Sequence, residues 1–272
     1  MNEYSLAKVQ NLDNMEDYGL VSVIMPTYKC GKYIAESIKS VQAQTYPNWE
    51  LIVVDDCSGD GTIEIVEKLK KEDKRIRLFQ NEKNSGAALS RNFALREANG
   101  RWIAFLDSDD LWKPEKLEHQ LKFMIDNNYA FTYHNNSWIN EKTGKIEKNV
   151  SGKKHVSVFD MYCCCWPGCL TVMYDVNIVG LIQIADIKKN NDSAMWLKIV
   201  KKADCYLLEE NLAYYRHRSG SITPPDIKTK IMWHYKLFHD ADDRSPIIAF
   251  LLTCLNMAGS FVKKKFYEKI IK

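Results

Sequence analysis

Four short apolar runs, at residues 21–25, 51–54, 76–79 and 102–106, limit what this chain can fold into. Each has the length and the β-branched or aromatic character of a buried strand. Between them lie segments of helical spacing: 33–44, with Ile34, Ile38 and Val41 on one side, then 63–69, then 87–98, which stops at Gly100. Strands alternating with helices predict an α/β fold, a parallel sheet covered on both faces. Each loop on one edge is polar or conformationally special. Pro26-Thr27-Tyr28 follows the first run, Asp55-Asp56-Cys57-Ser58 the second, and Asp107-Ser108-Asp109-Asp110 the fourth, while Asn84-Ser85-Gly86 precedes the third helix. Open α/β sheets bind their ligands at such a meeting of loops.

The run Phe105-Leu106-Asp107-Ser108-Asp109-Asp110 places three carboxylates within four residues at a strand end. Charges so close repel, and a divalent cation with hard oxygen ligands, Mg²⁺ or Mn²⁺, is the usual compensation. An acidic turn leading into the helix after Pro114 is the plainer explanation. No GxGxxG follows the first strand and no GxxxxGK[ST] is present. A diphosphate here is then expected to rest on a metal and on basic side chains such as Arg91.

The chain has 272 residues, 46% of them hydrophobic, enough for one large domain or one domain with an appendage. A net charge of +3 does not suit a general polyanion binder, so no nucleic-acid partner is expected. The eight cysteines form no paired CxxC groups, and residues 1–20 lack the apolar core of a signal peptide. A cytoplasmic protein with free thiols is expected. Cys163, Cys164, Cys165 and Cys169 lack a histidine at zinc spacing, so a packed cluster is expected there.

The order VSVIMPTY, ELIVVDDCSGDGT, NSGAALSRN, GRWIAFLDSDD and NDSAMWLKI, across roughly residues 20–220, resembles the family 2 glycosyltransferases of GT-A fold. The likeness is greatest to bacterial members that build capsular, teichuronic or lipopolysaccharide chains. It implies an inverting, metal-dependent transfer from a nucleotide-sugar donor, a UDP-sugar, to a glycan or lipid-linked acceptor. It also implies a GT-A domain over 21–225, with a nucleotide-binding half at 21–112 and an acceptor half at 113–225. Residues 1–20 and 226–272 are then an extension and a helical tail.

By the same resemblance, Pro26, Thr27 and Tyr28 form the first nucleotide loop. Tyr28 either stacks on the base or is a surface aromatic, and Lys29 stands where the family usually has Asn. Asp56 would accept from the base N3–H, Asp55 being structural; an Asx-type turn before Gly59 is compatible with that role. Asn84, Gly86, Arg91 and Asn92 match the third motif. Arg91 would pair with the diphosphate, hold the acidic cluster, or form an ordinary surface ion pair. Asp107 and Ser108 belong to the ribose and loop framework, and Asp109 and Asp110 to ribose contact and metal ligation. Asp192 is the candidate general base or simply a helix N-cap, and Asn191 departs from the family's Glu. Trp166 and Gly168 stand where acceptor enters, although core packing explains Trp166 equally well; Asn191 and Trp196 complete the acceptor set. Arg218 would clamp the diphosphate, with 219–225 ordering over the nucleotide, unless it only faces solvent.

Elsewhere the second half is less regular. Residues 114–125 read as helix, 130–137 and 169–174 as strands, and 142–154 as a hairpin or mobile loop. Nothing in the tail has catalytic character. Residues 246–262 are apolar and uncharged, and Lys263-Lys264-Lys265 follow. That is short for the ~30 Å of a bilayer core. It suits peripheral contact at the inner face of the cell membrane, or a helix buried against the domain or in a homodimer. A sugar-1-phosphate nucleotidyltransferase or a non-catalytic nucleotide-sugar-binding protein are the other classes; the first lacks its N-terminal Gly-rich loop here.

Overall fold

The computed structural model describes residues 16–218 and 226–271. Its first half is β1 (Val21–Thr27), α1 (Ile34–Gln42), β2 (Trp49–Asp55), α2 (Thr62–Glu72), β3 (Ile76–Gln80), α3 (Ala87–Arg96) and β4 (Trp102–Phe105). β4, β1, β2 and β3 lie side by side and parallel. Residues alternate between two cores. Val21, Val23 and Met25 face α1, α2 and the later helix at 116–127, whereas Ile24, Ile52, Ile103 and Phe105 face α3. β1 continues two residues beyond the expected end. Pro26 is accommodated because pairing with β4 stops at Ile24, so no bond is lost on that side.

Next come β5 (Leu111–Trp112), α4 (Lys116–Asn127), β6 (Phe131–Asn140), β7 (Ile146–Val150), β8 (His155–Val156) and α5 (Val158–Cys163). After a 3₁₀ turn at Cys169–Thr171 follow β9 (Met173–Asp175), α6 (Val176–Val179), α7 (Asn191–Val200) and β10 (Cys205–His217). β9 joins β4 antiparallel, β6 joins β9 antiparallel, and β10 runs parallel to β6. The parallel block of the first half thus passes into a mixed extension. The hairpin expected in 142–154 is β6–β7. The strand expected over 169–174 is instead a turn and a three-residue strand. Thr171 folds back to donate from both N and Oγ1 to the Gly168 carbonyl, at 3.0 and 2.7 Å.

The tail is α8 (Ile227–Lys236), a π-helical turn at Leu237–Ala241, α9 (Pro246–Tyr267) and β11 (Glu268–Ile270). It is integral to the domain. Leu237, Phe238 and Ala249 are buried in the α3-side core. Asn256 Nδ2 donates to the Tyr162 carbonyl at 2.9 Å. Lys263 Nζ donates to the carbonyls of Cys165 and Trp166 at 2.8 and 2.7 Å, and β11 adds antiparallel to β7. Gly259 permits this approach, since a Cβ there would lie 2.0 Å from the Cys163 carbonyl oxygen. Gly259→Val should therefore lower unfolding free energy by roughly 1–3 kcal/mol, the usual scale of overpacking, although valine is the better helix former. Urea denaturation reads this out, and a variant as stable as the parent would contradict the docking.

Candidate functional site

The four loops do converge. β4 delivers the acidic turn, which closes on itself through Asp110 N donating to the Asp107 carbonyl at 3.0 Å. Its three carboxylates have different partners. Asp107 Oδ1 lies 2.5 Å from Arg91 Nη2, and Asp109 lies 2.8 Å from Arg218 Nη2. Asp110 is buried and accepts from the Arg216 backbone N–H at 2.8 Å, with no ion pair among the described residues. Burial, then repulsion from Asp109 and Asp107, pushes the Asp110 carboxyl well above its ordinary range. Burial and Asp107 also raise Asp109, against the pull of Arg218. Ser108 is buried in the turn.

Arg91 is anchored on α3 and 7% exposed. Besides Asp107 it donates to Asn191 Oδ1 at 3.3 Å. Burial works against the charged guanidinium, but Asp107 more than offsets it and raises the Arg91 pKa. Of the roles the sequence left open for Arg91, holding the acidic cluster is the one these contacts describe. Asn92 exchanges two hydrogen bonds with the backbone of Ile184, at 2.6 and 2.8 Å. It thereby fixes the segment leading into α7.

Asp56 is 3% exposed and already accepts three bonds, from Asn81 Nδ2 and Ser85 N at 2.7 Å and Gly86 N at 2.8 Å. Asn84 Nδ2 donates to its backbone oxygen at 3.0 Å. Asp56 and Asn84 thus fold the loop that carries Gly86, whose φ of 85° requires glycine. Asp55 bonds Ser58 N and Oγ, which makes it structural as expected. Pro26 and Thr27 end β1 beside this loop, and the Thr27 hydroxyl is buried with no partner among the described residues. Tyr28 is exposed, its ring capped by Lys29 Nζ at 5.2 Å. Residues 219–225, expected to close over a nucleotide, lie outside the described residues.

Two cavities meet at the acidic turn. One, of about 760 Å³, lies between α3 and the segment before α7, lined by Gly86, Arg91 and residues 186–192. The other, of about 340 Å³, is lined by Asp110, His134, Asn136, Trp138, Trp166, Gly168, Tyr215, Lys263 and Glu268 among others. Asp107, Cys169 and Asp192 line both. Asp192 is not the cap of its helix. Asn190, with φ of 58°, occupies that position, and Asp192 sits in the first turn, where its carboxylate accepts from Ser193 N at 2.8 Å. Trp196 does not reach either cavity. It is 1% exposed, edge-on to Phe105 with ring centroids 5.2 Å apart, so its part is to seat α7 on β4.

Several lining residues escaped the sequence. Cys169 stands at the junction, where burial keeps its thiol protonated. His134, Asn136 and Trp138 are alternate residues of β6, and period two marks a face without saying what it meets. Burial and then Lys116 push the His134 imidazole down to about 3, so it is neutral. Lys263 and Glu268 come from the tail, whose sequence carries no catalytic motif to mark them.

No group of three or more metal-ligating side chains is gathered at coordination distance among the described residues. The turn nonetheless fits a hard divalent cation. Burial and then its neighbours' charge hold Asp110 above its ordinary range, and Asp109 adjoins it. Those two would hold the ion.

Comparisons with known proteins agree with this layout. Residues 22–165 match the model of glycosyl transferase family 2. TuaG of Bacillus subtilis (strain 168), named for teichuronic acid biosynthesis, is 43% identical over 205 residues, 75% of this chain and 81% of TuaG. WfgD of Escherichia coli, a UDP-Glc:α-D-GlcNAc-diphosphoundecaprenol β-1,3-glucosyltransferase, is 44% identical over 187 residues, 69% of this chain and 72% of WfgD. Among solved structures, S. aureus TarS 1–349 in complex with UDP-GlcNAc superposes with a TM-score of 0.66 at 23% identity, covering 89% of this chain and 72% of TarS 1–349. The mixed sheet is thus the GT-A fold.

The crowded turn has a consequence for stability. A carboxyl whose native pKa is raised binds protons in the folded state that the unfolded chain has released. Stability then falls as pH rises from the unfolded carboxylate range, about 4, through the native value of Asp110. Asp110→Asn removes this loss and keeps an acceptor for Arg216 N. Without added metal, the variant should melt above the parent at pH 7, and the gap should shrink toward pH 4. A variant melting below the parent at pH 7 would contradict the assigned repulsion.

Proposed function

The chain belongs to glycosyl transferase family 2, and from that premise we propose that it transfers a sugar from a UDP-sugar to a glycan or lipid-linked acceptor, with inversion at the anomeric carbon. The observation that carries this reading is the junction of the two cavities at Asp107, Cys169 and Asp192. One substrate in each cavity would bring the reacting atoms together beside Asp192. The larger cavity, with Gly86 and Arg91, takes the donor side. The other, with Trp166, Gly168 and Trp138, takes the acceptor. WfgD's name specifies a UDP-glucose donor and a diphosphoundecaprenol-linked acceptor. That supports the same substrate classes here, in bacterial surface polysaccharide synthesis.

In this scheme the Asp192 carboxylate accepts the proton of the acceptor hydroxyl. The oxygen bonds to the anomeric carbon from the face opposite the diphosphate, whose bond to that carbon breaks and releases UDP. Asn191 and Arg91 hold the start of α7 against the acidic turn, so Asp192 is placed before substrate arrives. Arg218, paired with Asp109 in this structure, is positioned to exchange that partner for a phosphate oxygen. Mn²⁺ or Mg²⁺ on Asp109 and Asp110 would neutralise the departing diphosphate.

Asp192→Asn preserves size and removes basicity. Transfer should fall by roughly 10²–10⁴-fold, the scale of a lost general base, with parent-like UDP affinity by calorimetry. Transfer at the parent rate would remove Asp192 from the chemistry.

A further inference from the structure

α9 is apolar along the side that faces away from the protein. Ile247, Phe250, Leu251, Phe261 and Phe266 are each more than half exposed. Single exposed apolar residues are ordinary, but a continuous row along a 22-residue helix is not. The other side is occupied: Ala249, Thr253 and Asn256 are buried, and Lys263 is tied to the carbonyls of Cys165 and Trp166. By length and composition α9 would suffice to cross a membrane. Crossing would strip away those contacts and the β7–β11 pairing, whereas lying flat keeps them all.

Charge indicates what the face meets. Residues 246–262 carry none, and exposed Lys264, Lys265 and Lys269 follow at the helix end. Glu268 is the one acidic residue in 246–271, and it is paired with Lys148 at 2.7 Å. A second copy placed symmetrically on this face would bring those lysines no free carboxylate from 246–271, where Glu268 is already paired; exposed Asp243 lies outside the helix, just before its start. Hydrocarbon bordered by phosphate headgroups matches both the apolar row and the lysines.

We propose that the outward face of α9 docks, in the plane of the interface, on a bilayer containing anionic lipid. Because α9 and β11 also supply Lys263 and Glu268 to the smaller cavity, docking brings that cavity to the headgroup layer. A lipid-linked acceptor then reaches it without leaving the membrane. This last step rests on the acceptor reading above; the docking itself does not.

Flotation of the full chain with lipid vesicles tests the docking, and it needs no sugar substrate. Binding to phosphatidylcholine–phosphatidylglycerol vesicles should be at least about tenfold tighter than to phosphatidylcholine alone, since each interfacial lysine adds about 1 kcal/mol. The double variant Phe250→Asp/Leu251→Asp should stay with the soluble fraction while binding UDP like the parent, which shows that it is folded. Lys264→Glu/Lys265→Glu should lose the preference for anionic vesicles. A parent that fails to float with anionic vesicles overturns the proposal. So does a solution dimer, seen by light scattering, that Leu251→Asp dissociates, because the face would then belong to a second copy. Vesicle binding in a protein without transferase activity would leave the docking standing and remove the acceptor reading.

Discussion

A single buried guanidinium joins the parts of this molecule that have to act together. Arg91 leaves α3, bonds Asp107 at the end of β4, and reaches Asn191 at the start of α7. Asn191 lies 100 residues beyond Arg91 in the chain, and the adjoining Asn92 adds two bonds to the backbone of Ile184. The Arg91 charge is costly to bury alone and is tolerated because Asp107 lies beside it. Neutralising Asp107 in turn lets the acidic turn carry two further carboxylates. Remove the guanidinium, and both the turn and the placement of Asp192 lose their common support.

The turn itself is poised rather than relaxed. Arg91 and Arg218 each take one carboxylate, and Asp110 is left with a backbone N–H and two like-charged neighbours. Such an arrangement lowers stability, which is the usual relation between a site and the fold that carries it. Asp109 and Arg218 form the exchangeable member. The two pairs differ in the guanidinium, since Arg218 is partly exposed and Arg91 is buried.

The parallel block was legible because its signals are local. Val21, Ile52 and Ile103 lie in short β-branched runs, and the turn residues between runs carry their own conformational demands. The acidic turn was legible for the same reason. What escaped depends on contacts made late in the chain. Lys263 reaches Cys165 across 98 residues, and no periodicity in 246–262 states that one side is covered by α5 while the other is bare. The resemblance puts Trp196 with the acceptor set, yet residues four apart on a helix share a side only approximately, and Phe105 draws the indole inward. Asp56 carries loop-folding contacts that its motif did not state, from Asn81, Ser85 and Gly86. The strand expected at 169–174 failed on one side-chain bond, from Thr171 to Gly168, that propensity does not count.

The central claim is that Asp192, at the junction of the two cavities, directs a hydroxyl onto the anomeric carbon from the face opposite the diphosphate. The configuration of the transferred sugar tests it most directly. With an α-linked UDP-sugar donor, product NMR should show a β-linkage, with no build-up of a sugar-bound protein by mass spectrometry. An α-linked product would contradict a single displacement and with it the role given to Asp192.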